Sequence, residues 1–176
     1  VATLVALRAE PDDVYPAVAR ELGSGLGARH VSVVRFENGH GIVLAACDDE
    51  ANDDRLTPGE RLELGGNNIC TTVLTTGQPA AVDYAAATGP IADRMHQRGL
   101  VCGLGVPITI DGEVWGAVVV ASAERAPELE IQARMADFAD LVATAVYNSE
   151  TREQLTRSRA RVIAAADQAR RTIERD

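Results

Sequence analysis

The sequence has no lysine: all 17 of its cationic side chains are arginine. That bias fits a GC-rich coding sequence and leaves mechanism open. Cysteine is scarce, and Cys47, Cys70 and Cys102 are widely spaced, odd in number and free of any CxxC pair. Neither a disulfide framework nor a zinc site is therefore expected, and a reducing cytosol is the natural setting. No apolar run approaches the roughly 20 residues needed to cross a bilayer, and Ala117–Ala121 is strand-sized. Val1 carries no initiator methionine and no charged-then-apolar leader, so a trimmed N-terminus is expected. Positive charge is also in deficit. The net charge of −9 speaks against a nucleic-acid surface, because an acidic face gains nothing by displacing counterions from phosphate. The expectation is a cytoplasmic, soluble piece with no membrane contact of its own.

What is present is an apolar share of 46% in 176 residues, enough for one domain with an appendage. The charge is unevenly placed: from Thr151 onward seven arginines face four acids, a local +3 that leaves −12 on the rest. Pro11 to Leu26 carries Val14, Val18, Leu22 and Leu26 at helical spacing. His30 to Phe36 and Ile42 to Cys47 flank an Asn-Gly turn and read as a hairpin. Asp48 to Arg55 is an acidic loop, followed by the short extended segment Arg61 to Leu64. Gly65-Gly-Asn-Asn68 forms a loop and N-cap for a helix over Ile69 to Thr76, closed by Gly77. Pro79 to Asp83 is extended, and Gly89-Pro90 opens a helix over Ile91 to Arg98. Leu100 to Ile110 and Glu113 to Ser122 are apolar strands joined by Asp111-Gly112. One long helix runs from Pro127. This order describes an α+β domain, an antiparallel sheet with helices on both faces.

The segment Gly99-Leu-Val-Cys-Gly-Leu-Gly-Val-Pro-Ile-Thr-Ile-Asp-Gly-Glu-Val-Trp-Gly-Ala-Val-Val-Val-Ala-Ser122 resembles the central hairpin of a GAF domain. That family repeats a strand, a Val-Pro-hydrophobic step, an Asp-Gly turn and a hydrophobic-Gly-hydrophobic return strand. Pro107 would sit where the strand bends, and Gly116 would let a helix or ligand approach the sheet. Asn68 to Asp83, with Thr76-Gly-Gln-Pro79, resembles the ligand-side helix and the step after it. The closing stretch Ala169-Arg-Arg-Thr-Ile-Glu-Arg-Asp176 resembles the start of the dimerisation and phosphoacceptor helix of nitrate-sensor-type histidine kinases. In that family the run continues into the phosphoacceptor histidine, which is beyond Asp176 here. Together these features are similar to GAF-containing sensor kinases of actinobacterial type. The implied organisation is a GAF-like sensor domain over residues 1–148 and a signalling helix over 149–176 that leads into a kinase half outside this chain.

The resemblance places a ligand between the sheet and the helices Ile69 to Thr76 and Ile91 to Arg98. The groups expected there are Asn67, Asn68, Cys70, Thr71, Tyr84, Met95 and His96, with Cys102 on the adjacent strand. Cys70 lies in a first helical turn, where the helix dipole favours thiolate, although a buried inert thiol is the ordinary state of a free cysteine. His96 is the residue that a haem ligand would require, set against the ordinary role of a histidine at a helix end. No cofactor or metal is otherwise expected. His40 is a turn residue, and His30 stands alone before a strand. The Asn-Lys-Phe-Asp-Glu set of cyclic-nucleotide-binding GAF domains is not found. No serine occupies a nucleophile elbow. Gly23-Ser-Gly-Leu-Gly27 ends a helix and Gly103-Leu-Gly105 lies within a strand, so neither cradles phosphate.

Along the last helix Phe138, Leu141, Ala145, Asn148, Arg152, Leu155, Arg159, Val162, Ala166, Ala169 and Ile173 alternate steps of three and four. Leu155, Val162, Ala166, Ala169 and Ile173 form the stripe expected to meet a second copy in a parallel homodimer, and the polar middle sets its register. The expected function is regulatory: the input domain of a cytoplasmic two-component kinase. It would bind a small molecule or relay a signal, and reach a response regulator only through the missing half. One alternative is a ligandless scaffold for dimerisation and relay; the other is an enzyme of the methionine sulfoxide reductase kind. The fragment itself is expected to carry no catalysis.

Overall fold

A computed structural model describes residues 1–26, 28–48, 54–124 and 129–173, with Leu26, Leu129 and residues 164–173 described as backbone. The chain runs α1 (Ala2–Ala6), α2 (Pro11–Leu26), β1 (His30–Glu37), β2 (His40–Cys47), β3 (Arg61–Glu63), α3 (Ile69–Thr76), β4 (Ala80–Asp83), α4 (Pro90–Gln97), β5 (Cys102–Ile110), β6 (Glu113–Ser122) and α5 (Leu129–Ile173). The expected elements are all there, and α1 is an addition that the sequence reading left out. This short helix is too small to stand alone. It is held by the buried Val5 and by packing on α2 and α5.

The six strands form one sheet in the order β3-β2-β1-β6-β5-β4, and every pairing in it is antiparallel. The two hairpin turns are the ones the sequence announces. Asn38 and Gly39 have φ of 49° and 75°, and Asp111 and Gly112 have φ of 51° and 84°. Two positive-φ residues in succession give the turn whose twist matches that of the strands.

Strand alternation sorts β6 between two cores. Val118 and Val120 join Val31, Val33, Leu104, Val106 and Ile108 under α2 and α5, where Val14, Val18, Leu22, Met135 and Val142 complete the layer. Ala117, Val119 and Ala121 face the other way, toward Ile69, Val73, Ile91 and Met95 of α3 and α4. A sheet buried on both faces explains why β6 reads as one continuous apolar run.

Gly116 has a different role from the one expected. A Cβ there would lie 2.2 Å from the Val34 carbonyl oxygen, so the neighbour that needs the space is strand β1, beside the irregularity at Val33/Val34. Pro107 lies beyond the last β4–β5 pair, Ala80 with Gly105, so its missing N–H removes no bond on that side. Among the described residues no helix is long and apolar enough to cross a membrane. Gly116→Ala should destabilise the domain by about 1–3 kcal/mol, read as a lower urea midpoint with an unchanged slope. Wild-type stability in that variant would show that β1 has room to give.

Candidate functional site

The space between the sheet and the α3–α4 layer is largely filled by the protein's own side chains. A Cβ on Gly105 would lie 2.2 Å from Ile69 Cγ2, and one on Gly103 would lie 2.7 Å from the Tyr84 hydroxyl. The two glycines thus let α3 and Tyr84 settle directly on β5. Among the described residues a cavity of about 20 Å³ lies between β1, β6 and the end of α4. Its apolar wall is Tyr84, Met95, Leu100, Val119 and Ala121. Its polar end is Ser32, His30, Asp48 and Arg98.

Local structure places each polar group. Helix α4 ends at Arg98 through paired bonds from the Gly99 amide to the His96 carbonyl, 2.9 Å, and from the Leu100 amide to the Met95 carbonyl, 3.0 Å. Gly99 takes φ of 74°, the left-handed step that closes such a cap. The cap folds Leu100 back on Met95, and the Arg98 side chain is only 1% exposed. From the sheet, the β1–β2 register pairs Val31 with Cys47, so the next position outward sets His30 beside Asp48. His30 Nδ1 meets Asp48 Oδ1 at 3.0 Å, Arg98 Nη2 lies 2.8 Å from the same oxygen, and the Leu56 amide donates to Oδ2 at 2.9 Å.

The Asp48 carboxyl is 4% exposed. Burial pushes its pKa up, but His30, Arg98 and the Leu56 amide outweigh burial and hold it below the ordinary value. Outside this cluster Arg94 joins α4 to the β2–β3 connection, through Asp54 at 2.8 Å and through Glu60. Two arginines one turn apart therefore clamp α4 onto that connection.

The residues singled out from sequence fall into three groups. Tyr84 and Met95 line the cavity. Asn68 is fully buried and caps α3 by accepting from the Thr71 amide at 3.1 Å. Cys70 and Thr71 are on α3 away from the cavity lining, and Thr71 Oγ1 is buried without a partner. Asn67 acts through its backbone, donating its amide to Thr88 Oγ1 at 2.8 Å. His96 is on the exposed side of α4, not in the cavity, and Cys102 shares the strand phase of Leu104, which belongs to the α2–α5 core.

The cavity volume and the outward His96 do not fit a haem. Burial pushes the Cys70 thiol up to about 12, while burial and Asp83 raise Cys102, so neither is a ready nucleophile. Among the described residues no group of three His, Cys, Asp or Glu is placed to hold a metal ion. The polar residues that sequence reasoning missed are His30, Asp48 and Arg98. No local signal placed the first two: His30 and Asp48 meet only because the β1–β2 pairing shifts by one residue at Val33/Val34.

Asp48→Asn should cost about 3–5 kcal/mol, because it leaves the Arg98 charge buried and uncompensated. A carboxyl with a depressed folded pKa stabilises above its unfolded value of about 3.9 and stops doing so as pH falls through the lower folded value. The gap between wild type and Asp48→Asn in urea unfolding should therefore be full at neutral pH and shrink below about pH 4. A gap independent of pH would remove the carboxylate from the account. Cys70 should stay unreactive to a thiol reagent at about pH 8 until the protein unfolds, with the half-buried Cys47 reacting first.

With the site in view, the chain can be set beside known proteins. The family model of the GAF domain matches residues 10–146. No curated protein matches the sequence significantly. Among solved structures, the blue-light absorbing form of the PixJ GAF domain of Thermosynechococcus elongatus superposes with a TM-score of 0.64 at 15% identity, covering 88% of this chain and 93% of that one. The GAF-B domain of DevS from Mycobacterium smegmatis gives 0.63 at 18%, covering 83% and 99%. The type II free methionine-R-sulfoxide reductase of Thermoplasma acidophilum gives 0.61 at 17%, covering 78% and 92%. At such identities the likeness is one of fold. The family match spans most of the chain, which belongs to the GAF domain family.

Proposed function

We propose that this GAF domain is the regulatory input module of a cytoplasmic two-component sensor histidine kinase, passing its signal through a parallel pair of α5 helices. The observation that carries the reading is the division of α5 into two parts. From Met135 to Val146 the helix is built into the core, through Met135, Phe138, Ala139, Val142, Ala145 and Val146. It then continues as helix to Ile173, 45 residues in all and about 67 Å at 1.5 Å per residue. On that extension Leu155, Val162 and Ile163 are 51%, 67% and 63% exposed. Large apolar side chains repeated along one helix far from their own domain are a partner's surface. Of the stripe expected from sequence, Ala166, Ala169 and Ile173 lie outside the described side chains. The kinase context rests on the resemblance of the sequence from Ala169 to Asp176 to the start of a phosphoacceptor helix.

The packed α3–α4 face favours a relay over the binding of a large cofactor, and this supports the scaffold alternative as the second reading. A bilin-sized or haem-sized group would have to displace Ile69 and Tyr84 from the two glycines of β5. Thiol chemistry of the reductase kind gains no support from a Cys70 held at high pKa and a Cys102 in the opposite strand phase.

Sedimentation of the chain against a version ending at Ser149 tests the relay. The full chain should be a dimer at micromolar concentration, and Val162→Glu or removal of residues beyond 149 should shift it to monomer. Monomers in every case at high micromolar concentration would discard α5 as the dimer seam.

A further inference from the structure

Helix α5 turns one uncharged side to solvent as it leaves the domain. Met135, Val142, Ala145 and Val146 point into the core. On the opposite side, at about 100° per residue, stand Thr144, Tyr147, Thr151, Leu155, Ser158 and Val162. All six are exposed, Tyr147 by 50%, and they share a sector of about 80° over a length of about 27 Å. Between Thr144 and Ile163 no Asp, Glu or Arg enters that sector. Arg152 and Arg159 border it on one side, and Glu150 and Arg161 on the other. Leu155 and Val162 belong to this stripe and also to the phase read from the sequence. The two phases part at the next positions, Thr151 and Ser158 in one, Arg152 and Arg159 in the other.

The structure turns Arg152 away from such a contact. Its Nη1 lies 3.3 Å from Glu10 Oε1, and its Nε donates to the Asn148 carbonyl at 3.3 Å. Ser149 Oγ donates to the other oxygen of the same carboxylate, Glu10 Oε2, at 3.3 Å. Glu10 stands just ahead of α2, so the first turn of the extension is tied to its own domain on a different side from the stripe. A pair this exposed is weak. Drawing Arg152 into a seam, however, would break it and bury a cation without a partner.

We propose that two copies of the chain pair in parallel through the Thr144–Val162 stripe, with Thr151 and Ser158 at the contact in place of Arg152 and Arg159. The proposal rests on the relay reading and names the face of α5 that carries it. Contact then begins on the domain itself, at Thr144 and Tyr147, instead of only on the extension. Charge selects the occupant. A charged partner face would find nothing to pair with along this stripe, whereas a second copy brings the same uncharged residues. Two-fold symmetry sets each of them against its own equivalent. The double four-residue step Tyr147–Thr151–Leu155 is the spacing of a stutter, so the pair is locally unwound where it leaves the two domains.

The test places single cysteines in the full chain as Thr151→Cys, Leu155→Cys, Ser158→Cys, Arg159→Cys and Val162→Cys and follows cross-linking under mild oxidation. The wild-type chain sets the background, since Cys70 and Cys102 are buried and Cys47 is half-buried. Arg152 stays in place throughout, because replacing it would release Glu10. The four stripe positions should form a cross-chain disulfide roughly tenfold or more faster than Arg159→Cys, because only residues facing the two-fold axis bring their Cα atoms within the ~7 Å that a disulfide spans. Thr151→Arg should weaken dimerisation in sedimentation roughly tenfold or more by setting like charges against each other. Cross-linking at Arg159→Cys as fast as at Ser158→Cys overturns the proposal, and so does a Thr151→Arg chain that dimerises like wild type. A wild-type dimer that cross-links at none of the four stripe positions overturns this face and leaves the relay standing. A wild-type monomer overturns both.

Discussion

Both faces of the β5–β6 hairpin are buried, and the rest of the domain is arranged to bury them. From Gly116 to Ala121 every residue of β6 is buried, so neither face can be given to water. One face takes α2 and the first half of α5, and the other takes α3, α4 and Tyr84. This constraint fixes the place of α5 as well. Its early turns cannot leave the sheet without exposing Met135, Val142 and the strand residues beneath them. Beyond Val146 the helix leaves the sheet, and its Leu155, Val162 and Ile163 are exposed.

The sequence made most of this architecture legible because its signals were local. Asn38-Gly39 and Asp111-Gly112 are turns by backbone chemistry, Asn68 is a cap by side-chain chemistry, and Gly77 and Gly99 end helices in the left-handed region. What it hid was non-local or off by one. Continuing the first hairpin from its Glu37–His40 pair in perfect register would set His30 opposite Cys47. The irregularity at Val33/Val34 shifts the pairing by one residue, and His30 arrives at Asp48 instead. A single-residue slip exchanges the faces of a strand, and nothing in the Val33-Val34 pair announces it. His30 therefore read as a lone residue, and Asp48 as one more acid in a polar loop. In the sequence Arg98 is only the last residue of a helix, and the tertiary fold alone turns its side chain inward. For the ligand-side residues the reading was mixed. Tyr84 and Met95 do line the cavity, whereas His96, one residue from Met95, is rotated by about 100° to solvent.

The buried cluster and the apolar packing contribute different things to the α3–α4 face. Ile69 over Gly103 and Gly105 is contact by shape, and it closes the space a large cofactor would need. Asp48, His30 and Arg98 add an ion pair whose desolvation offsets much of its attraction, so stability alone is a weak reason for its presence. What the pair does supply is connection. It ties the first strand, the end of the second strand and the last turn of α4 to one carboxylate. Arg94, one turn earlier, repeats the tie at the surface with Asp54 and Glu60. Any displacement of α4 is therefore resisted by charge, while α3 is resisted by close packing.

The same strand that walls the cavity also touches the outgoing helix. Val119 and Ala121 line the cavity, and Val118 and Val120 belong to the core shared with α5. Successive residues of β6 thus face the two layers, and no element stands between them except the sheet itself. A close-packed interior has little compressibility, so any displacement of Val119 is passed to its β6 neighbours Val118 and Val120 and to the core they share with α5. Proximity of this kind becomes signalling only where an element has two arrangements to choose between. In the proposed relay that element is the α5 extension, where Leu155, Val162 and Ile163 are exposed. If two such helices pair as proposed, a small change in how α5 seats on β6 would change how they meet.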